Sequence, residues 1–213
     1  MKLNYDEFKE WVNKSNIYLP YSFLLGELSA SEKIKKLSRF SLSNNTILEY
    51  TGNDLIKDII STRKNHYIVS SLLENLPPQW LKFNEIVSDI SCQCKENISF
   101  YMPYYDLNLP SYFVDLSSLK IKKFITLYPP EKEYEKAEPK MALEKLKSAG
   151  FDCRYAPLGM HAKVYLFDDV AALIGSFNFT KNAAYSNTEL GVLFFGDEVK
   201  KLRNFMETMI QRT

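Results

Sequence analysis

The sequence predicts an α/β fold, a mixed sheet flanked by helices, with a small, mostly helical appendage at its N-terminus. Three observations carry this expectation. From about residue 54, β-rich apolar runs alternate with segments of helical periodicity. The first sixty residues lack that alternation and carry helix-start signals instead. The 213 residues are 46% hydrophobic and 14% aromatic, enough to build a core and to exclude a disordered chain. The expected division is residues 1–58 for the appendage and 59–213 for the α/β domain.

In the appendage, Tyr5, Phe8, Trp11 and Val12 recur at helical spacing behind Asn4, a candidate N-cap. Ser29-Ala30-Ser31-Glu32 has the form of a capping box and predicts a helix running into Ile34 and Leu37. No helix-turn-helix pattern stands out, so packing or a dimer contact is the expected role. "NDLIKDIISTRK" then reads as a helix and "HYIVSSLL" as a strand. "LKFNEIVSDISCQCK" is helical, with Phe83, Ile86, Val87 and Ile90 on one face. "NISFYMPYY" is a buried strand ending at Pro103, and "KIKKFITLYPP" a strand closed by its proline pair. "EPKMALEKLKSAG" is a helix stopped by Gly150. "FDCRYAPL", "HAKVYLFD", "VAALIGSF" and "TELGVLFF" follow as strands. The last helix, "GDEVKKLRNFMETMIQR", is expected to bury Val199, Leu202, Phe205, Met206 and Met209.

Charge narrows the function. Twenty-seven basic residues against 26 acidic leave a net charge of +1, so no overall field draws the chain onto nucleic acid or anionic lipid. Any such binding must be local. Lys120, Lys122 and Lys123 with Lys140, Lys145 and Lys147 form a candidate basic rim, or simply a solvated face. Cys92, Cys94 and Cys153 have no metal-ligand spacing and read as reduced thiols. The N-terminus is polar where a signal peptide is apolar, and no apolar run approaches the ~20 residues that span a bilayer. A soluble, cytoplasmic protein without membrane insertion is expected.

The chemistry concentrates between residues 159 and 191. On a strand, His161, Lys163, Tyr165 and Phe167 share one face while Ala162, Val164 and Leu166 enter the core. Ser176 and Asn178 stand two apart, Gly175 leaves the backbone open to a ligand, and Glu189 follows on the next strand. Lysine supplies a full cation, Asn and Ser neutral donors, and His a nucleophile or proton carrier. That set fits a phosphate: cation and amide on the non-bridging oxygens, imidazole in line for attack. It fits a metal poorly, since there is one His and Lys is no ligand at neutral pH.

His161-x-Lys163-x4-Asp168-x6-Gly175-Ser176-x-Asn178 resembles the HKD signature of the phospholipase D superfamily at every spacing. "SFYMPYY" is similar to a strand of that family, "ALEKLKSAGFDCRYAP" to the helix and strand that precede the motif, and Glu189 to its trailing acidic position. The likeness covers about residues 60–213, which makes residues 59–213 the expected catalytic domain. The resemblance implies a phospholipase D-like mixed sheet and a phosphodiesterase working through a covalent phosphohistidine, without metal or other cofactor. By resemblance, His161 attacks phosphorus, Lys163 and Asn178 hold the phosphoryl oxygens, and Glu189 orients His161. Ser176 and Gly175 lie at the pocket edge, Tyr104 and Tyr105 line the cleft or stack bases, and Asp168 closes a turn. Tyr155 and Tyr165, which flank the motif, are weaker candidates for pocket walls.

Family members use two such motifs, one His attacking and the other protonating the leaving oxygen. Here the only other His is His66, in a setting without a following Lys or Gly-Ser-x-Asn. The resemblance therefore implies a homodimer whose two His161 side chains meet, with His66 reaching the site as the alternative. Nucleic acid is the expected substrate and a nuclease the expected enzyme. A lipid phosphodiesterase or phosphatidyltransferase, and a catalytically silent phosphate-binding module, are the other readings.

Overall fold

The computed structural model describes residues 1–36, 46–71, 77, 79–106, 116, 118–127, 137–156 and 159–211. The chain divides into two compact units, Met1–Lys64 and Asn65–Thr213.

The first unit holds β1 (Lys2–Asn4), α1 (Tyr5–Ser15), α2 (Tyr21–Ala30), β2 (Ile34–Lys36), β3 (Ile47–Tyr50) and α3 (Leu55–Ser61). Helix α1 starts where expected: the Asn4 side chain accepts from the Glu7 amide at 2.9 Å, and Glu7 accepts from the Asn4 amide at 2.6 Å. That reciprocal pair satisfies two donors that a helix start otherwise leaves open. Phe8, Val12, Leu24, Leu28, Leu48 and Ile59 are buried. The strands form an antiparallel sheet in the order β1-β3-β2, an element the helical signals did not reveal.

The expected helix at Ser29–Glu32 is corrected. These residues end α2, which begins after Pro20 and buries Leu24, Leu25 and Leu28. The Ser31 amide donates back to Glu27, and Glu32 turns the chain at a left-handed φ of 57° into β2. A serine two residues before the chain leaves a helix looks like one two residues before it enters; the preceding apolar stripe decides between them. Leu37, the far end of that expectation, lies outside the described residues.

The second unit is built on an eight-stranded mixed sheet. Its strands are β4 (His66–Ser70), β5 (Leu81–Lys82), β6 (Asn97–Tyr101), β7 (Ile121–Thr126), β8 (Asp152–Tyr155), β9 (Val164–Phe167), β10 (Ala171–Gly175) and β11 (Leu190–Phe195). They run in the order β5-β4-β11-β10-β9-β6-β7-β8. Strands β4, β11, β10, β9 and β6 pair antiparallel in turn, while β6-β7-β8 and β4-β5 are parallel. The helices are α4 (Phe83–Glu85), which passes through a π turn (Ile86–Ile90) into α5 (Ser91–Gln93), then α6 (Ala137–Ser148), α7 (Lys181–Tyr185) and α8 (Asp197–Gln211).

Both faces of the sheet are covered. Tyr101, Ile125, Val164, Leu166 and Ala172 pack under Val199 and Met206 of α8. On the other face, Tyr165 and Phe100 meet edge to face, and Phe83 stacks on Phe177 at 4.2 Å. Phe179 closes the cluster at 5.1 Å from Phe100 and 5.0 Å from Tyr165. Strand β9 is thus buried on both sides, as the centre of such a sheet must be.

One expectation for α8 needs correction: Phe205 and Met209 are exposed. The inward stripe is Val199, Leu202, Met206 and Ile210, spaced by three or four residues. Phe205 sits one position, about 100°, off that stripe and turns to solvent.

Candidate active site

Strand register brings the motif residues to one end of the sheet. Gly175 faces Gly191, Leu190 faces Ser70, and Val164 faces Tyr101. The start of β9, the ends of β10, β4 and β6, and the start of β11 therefore share an edge. His161, Lys163, Ser176, Asn178, Glu189 and Tyr104 all lie in the segments that leave or enter it. His66 pairs with Phe194, four residues along β4 from Ser70, so it stands at the opposite end, about 13 Å away.

His161 precedes β9 rather than lying in it, and its side chain reaches solvent. Lys163 is buried, and its ammonium turns back on the histidine. Nζ lies 3.0 Å from His161 Nδ1 and donates to the His161 carbonyl oxygen at 2.9 Å. Burial pushes the Lys163 ammonium below its ordinary pKa, and the negative charge of Glu189 pulls it part of the way back. A buried cation beside an exposed imidazole is a receptor for an anion that the imidazole also touches.

Glu189 is buried and fully engaged. Its Oε2 accepts from the Ser176 hydroxyl, and its Oε1 accepts from Asn187 Nδ2 at 3.1 Å. The Glu189 amide donates to Ser71 Oγ at 2.9 Å, and the Ser71 hydroxyl donates to the Asn187 carbonyl at 2.6 Å. Among the described residues Glu189 makes no hydrogen bond to His161. It acts on the histidine's neighbours, through Ser176 and through the charge of Lys163. Ser71 and Asn187 complete this network and were not singled out in the sequence. The signal for them was slight: a serine after a strand end, and an asparagine two residues before an isolated glutamate.

Asn178 is half-buried, and its Oδ1 is shielded from solvent with no hydrogen-bond partner among the described residues. Between Ser176 and Asn178, Phe177 is locked against Phe83, which fixes the two polar residues on either side. The space beside Gly175 belongs to the neighbouring strand. A Cβ there would lie 2.6 Å from the Leu190 carbonyl oxygen and 2.8 Å from Gly191 Cα. This glycine serves close strand approach.

Tyr104 is 50% exposed, with its ring centroid 6.2 Å from that of His161, edge to face. Tyr105 turns inward onto Phe124, 5.3 Å between centroids. Tyr165 is core, its hydroxyl donating to the Phe177 carbonyl at 2.9 Å. Asp168 lies away from this end, at the β9–β10 turn, with a left-handed φ of 48°. Its carboxylate accepts from the amides of Lys95, Glu96 and Asn97 at 2.8, 2.9 and 2.7 Å. Among the described residues no group of three or more His, Cys, Asp or Glu side chains is placed to hold a metal ion. Nor is any described helix long and apolar enough to cross a membrane.

A mixed sheet covered by helices, with His, Lys, Ser, Asn and Glu gathered at one edge, defines a phospholipase D-type phosphodiesterase fold. The family model for the cardiolipin synthase, PLD-like domain matches residues 46–210, and the chain belongs to that phospholipase D-like family. No curated protein matches the sequence. Among solved structures, the phospholipase D family member Nuc from Salmonella typhimurium aligns with a TM-score of 0.49 at 18% identity, over 68% of this chain and 92% of that one. NucT from Helicobacter pylori aligns with a TM-score of 0.43 at 15% identity, over 59% and 82%. Phosphatidylserine synthase of Haemophilus influenzae Rd KW20 gives 0.47 at 16% identity, over 75% of this chain and 47% of that one.

Proposed function

We propose that the chain is a nuclease that cleaves a phosphodiester through a covalent phosphohistidine at His161, in a site completed by a second copy of the chain. The observation that carries this reading is the pairing of the buried Lys163 ammonium with the exposed His161 imidazole, 3.0 Å apart. A phosphodiester seated there has one non-bridging oxygen on Lys163 and another within reach of the Asn178 amide. An imidazole nitrogen of His161 attacks phosphorus, and the bond to the leaving oxygen breaks as that oxygen takes a proton. Water then attacks phosphorus, gives up a proton and releases the histidine.

Both proton steps need a second acid-base group. His66 is at the wrong end of the sheet, and Glu189 is spent on Ser176 and Asn187. The His161 of a second copy supplies it, first as imidazolium donor, then as neutral acceptor. Tyr104 favours nucleic acid over lipid: a half-exposed aromatic ring beside the nucleophile offers a base a stacking surface. The cation that neutralises the developing charge is Lys163, so activity is expected to persist without divalent metal.

The test is incubation of the purified protein with plasmid, single-stranded DNA and RNA in EDTA, with its mass in solution measured alongside. Chelator-resistant cleavage by a dimer, lost in His161→Ala, is expected. Turnover of a short-chain phosphatidylcholine without nucleic-acid cleavage would replace the nuclease reading with a lipid one. A strictly monomeric active enzyme would overturn the two-copy site.

A further inference from the structure

Strands β6, β7 and β8 form the longer parallel run of the sheet, and parallel strands bind ligands outside their carboxyl ends. Tyr104 follows β6 at that end, beside His161. Two strands further on, at the open edge, β8 ends in Tyr155, which is 38% exposed. A concavity there is lined by Thr126, Leu143, Lys147, Cys153, Arg154 and Tyr155. Lys147 reaches it from the last turn of α6 and is exposed. Arg154, beside Ile125 in register, turns its side chain to the α8 face and pairs there with Asp152 through Nε at 2.8 Å and Nη2 at 2.6 Å. Burial pushes the Cys153 thiol up to about 11, so the thiol itself carries no charge, and the nearby Asp152 carboxylate is paired with Arg154.

The rim between the two tyrosines is rigid. The Thr126 hydroxyl donates to the Pro103 carbonyl at 3.2 Å, and the Ala156 amide donates to the Thr126 carbonyl at 2.7 Å. These bonds tie the ends of the three parallel strands to one another. Ala156, Met160 and Ala162 pack on the α8-side core. From β9 to β8 is three strand spacings, about 14 Å.

We propose that this edge is a second contact for a single-stranded nucleic acid whose scissile phosphate lies at His161. A flanking phosphate sits on Lys147, and a flanking base stacks on Tyr155, both on the α6 side of the sheet. Alternating cation and exposed ring is the chemistry that holds a strand whose bases are splayed out, and a paired duplex cannot present its base faces this way. The inference rests on the nuclease reading and adds to it a direction for the bound strand and a preference for unpaired substrate.

The experiment compares wild type with Tyr155→Ala and Lys147→Glu on two substrates, a single-stranded oligonucleotide of about twelve nucleotides and bis(p-nitrophenyl) phosphate, which is too small to reach the edge. For each variant the KM for the oligonucleotide is expected to rise about tenfold, with turnover of the small diester unchanged. Tyr155→Phe is expected to restore the KM, since it keeps the ring. Lys147→Glu is further expected to lower the salt dependence of binding by about one unit of slope or more. Unchanged oligonucleotide kinetics in both variants would overturn the edge contact while leaving the nuclease reading intact. A wild-type protein that turns over the small diester and no nucleic acid would remove the nuclease reading, and the edge contact with it. Loss of both activities together would show the edge to be structural, which also overturns the proposal.

Discussion

The Ser176 hydroxyl donates to one oxygen of the buried Glu189 carboxylate, and Asn187 holds the other at 3.1 Å. Among the described residues the Glu189 carboxylate bonds Ser176 and Asn187, and its charge acts on Lys163.

That arrangement sets the pH dependence. Burial holds Lys163 below the ordinary ammonium range and Glu189 opposes the fall. In Glu189→Gln the opposing pull is gone, so Lys163 loses its proton at lower pH. The alkaline limb of the activity profile is expected to move down in pH as well as in amplitude. A profile that only shrinks, with its limb in place, would show that Glu189 acts on geometry alone.

Lys163 carries a cost to the fold. Its proton is bound more weakly in the folded chain than in the unfolded one, so folding is penalised while the group is charged. The penalty is present in full below the lowered folded value and fades as pH climbs from it to the unfolded one near 10.4. Lys163→Met is expected to abolish phosphodiester cleavage while raising Tm, because it removes the cost of holding a buried charge. That gain should narrow as pH rises through the lowered folded value toward the unfolded lysine value near 10.4.

Asp168 should prove structural. Its carboxylate accepts three backbone amides from residues 95–97 across the start of β6. Asp168→Ala leaves those donors unsatisfied and is expected to cost about 3 kcal/mol in urea unfolding. Asp168→Asn, which keeps one acceptor oxygen, should cost less, and its kcat at a temperature where it is folded should stay near wild type.

The facing glycines of β10 and β11 leave no room for a side chain. In Gly191→Ala the new methyl would lie 2.7 Å from the Ile174 carbonyl oxygen and 2.7 Å from Phe177 Cε2. A loss of about 1–3 kcal/mol is expected from this overpacking. Because Phe177 lies between Ser176 and Asn178, kcat is expected to fall with stability.

The motif could be found without coordinates because its spacing is itself structural. The stretch from His161 to Asp168 is the length of β9 with its approach, and Gly175 to Asn178 closes β10. The strands around it were visible because their apolar runs are short and bounded by Pro, Gly or charge. Contacts made across the sheet were less visible. Ser71 reaches Asn187 over 116 residues of chain, and nothing local to either residue announces the pair. The N-terminal strands β1 and β2 are three residues each, too short for alternation to register. The stop at Glu32 was mistaken for a start because capping chemistry at a helix's two ends draws on the same small polar residues. Phe205 and Met209 were placed inward because apolar character was counted without weighing which arc of α8 the sheet can cover.

Phe177 stacks on Phe83 with the rings 7° from parallel, and Tyr165 and Phe179 close the same cluster. The edge that carries Ser176 and Asn178 is therefore rooted in the aromatic interior, whereas Tyr104 and Tyr155 stand outside it with half or a third of their surface in water. On the proposed reading, exchanging those outer rings one at a time alters what the molecule selects, at little expense to folding. On the same reading Ser176 and Asn178 have no such freedom, because Phe177 between them is locked in the core.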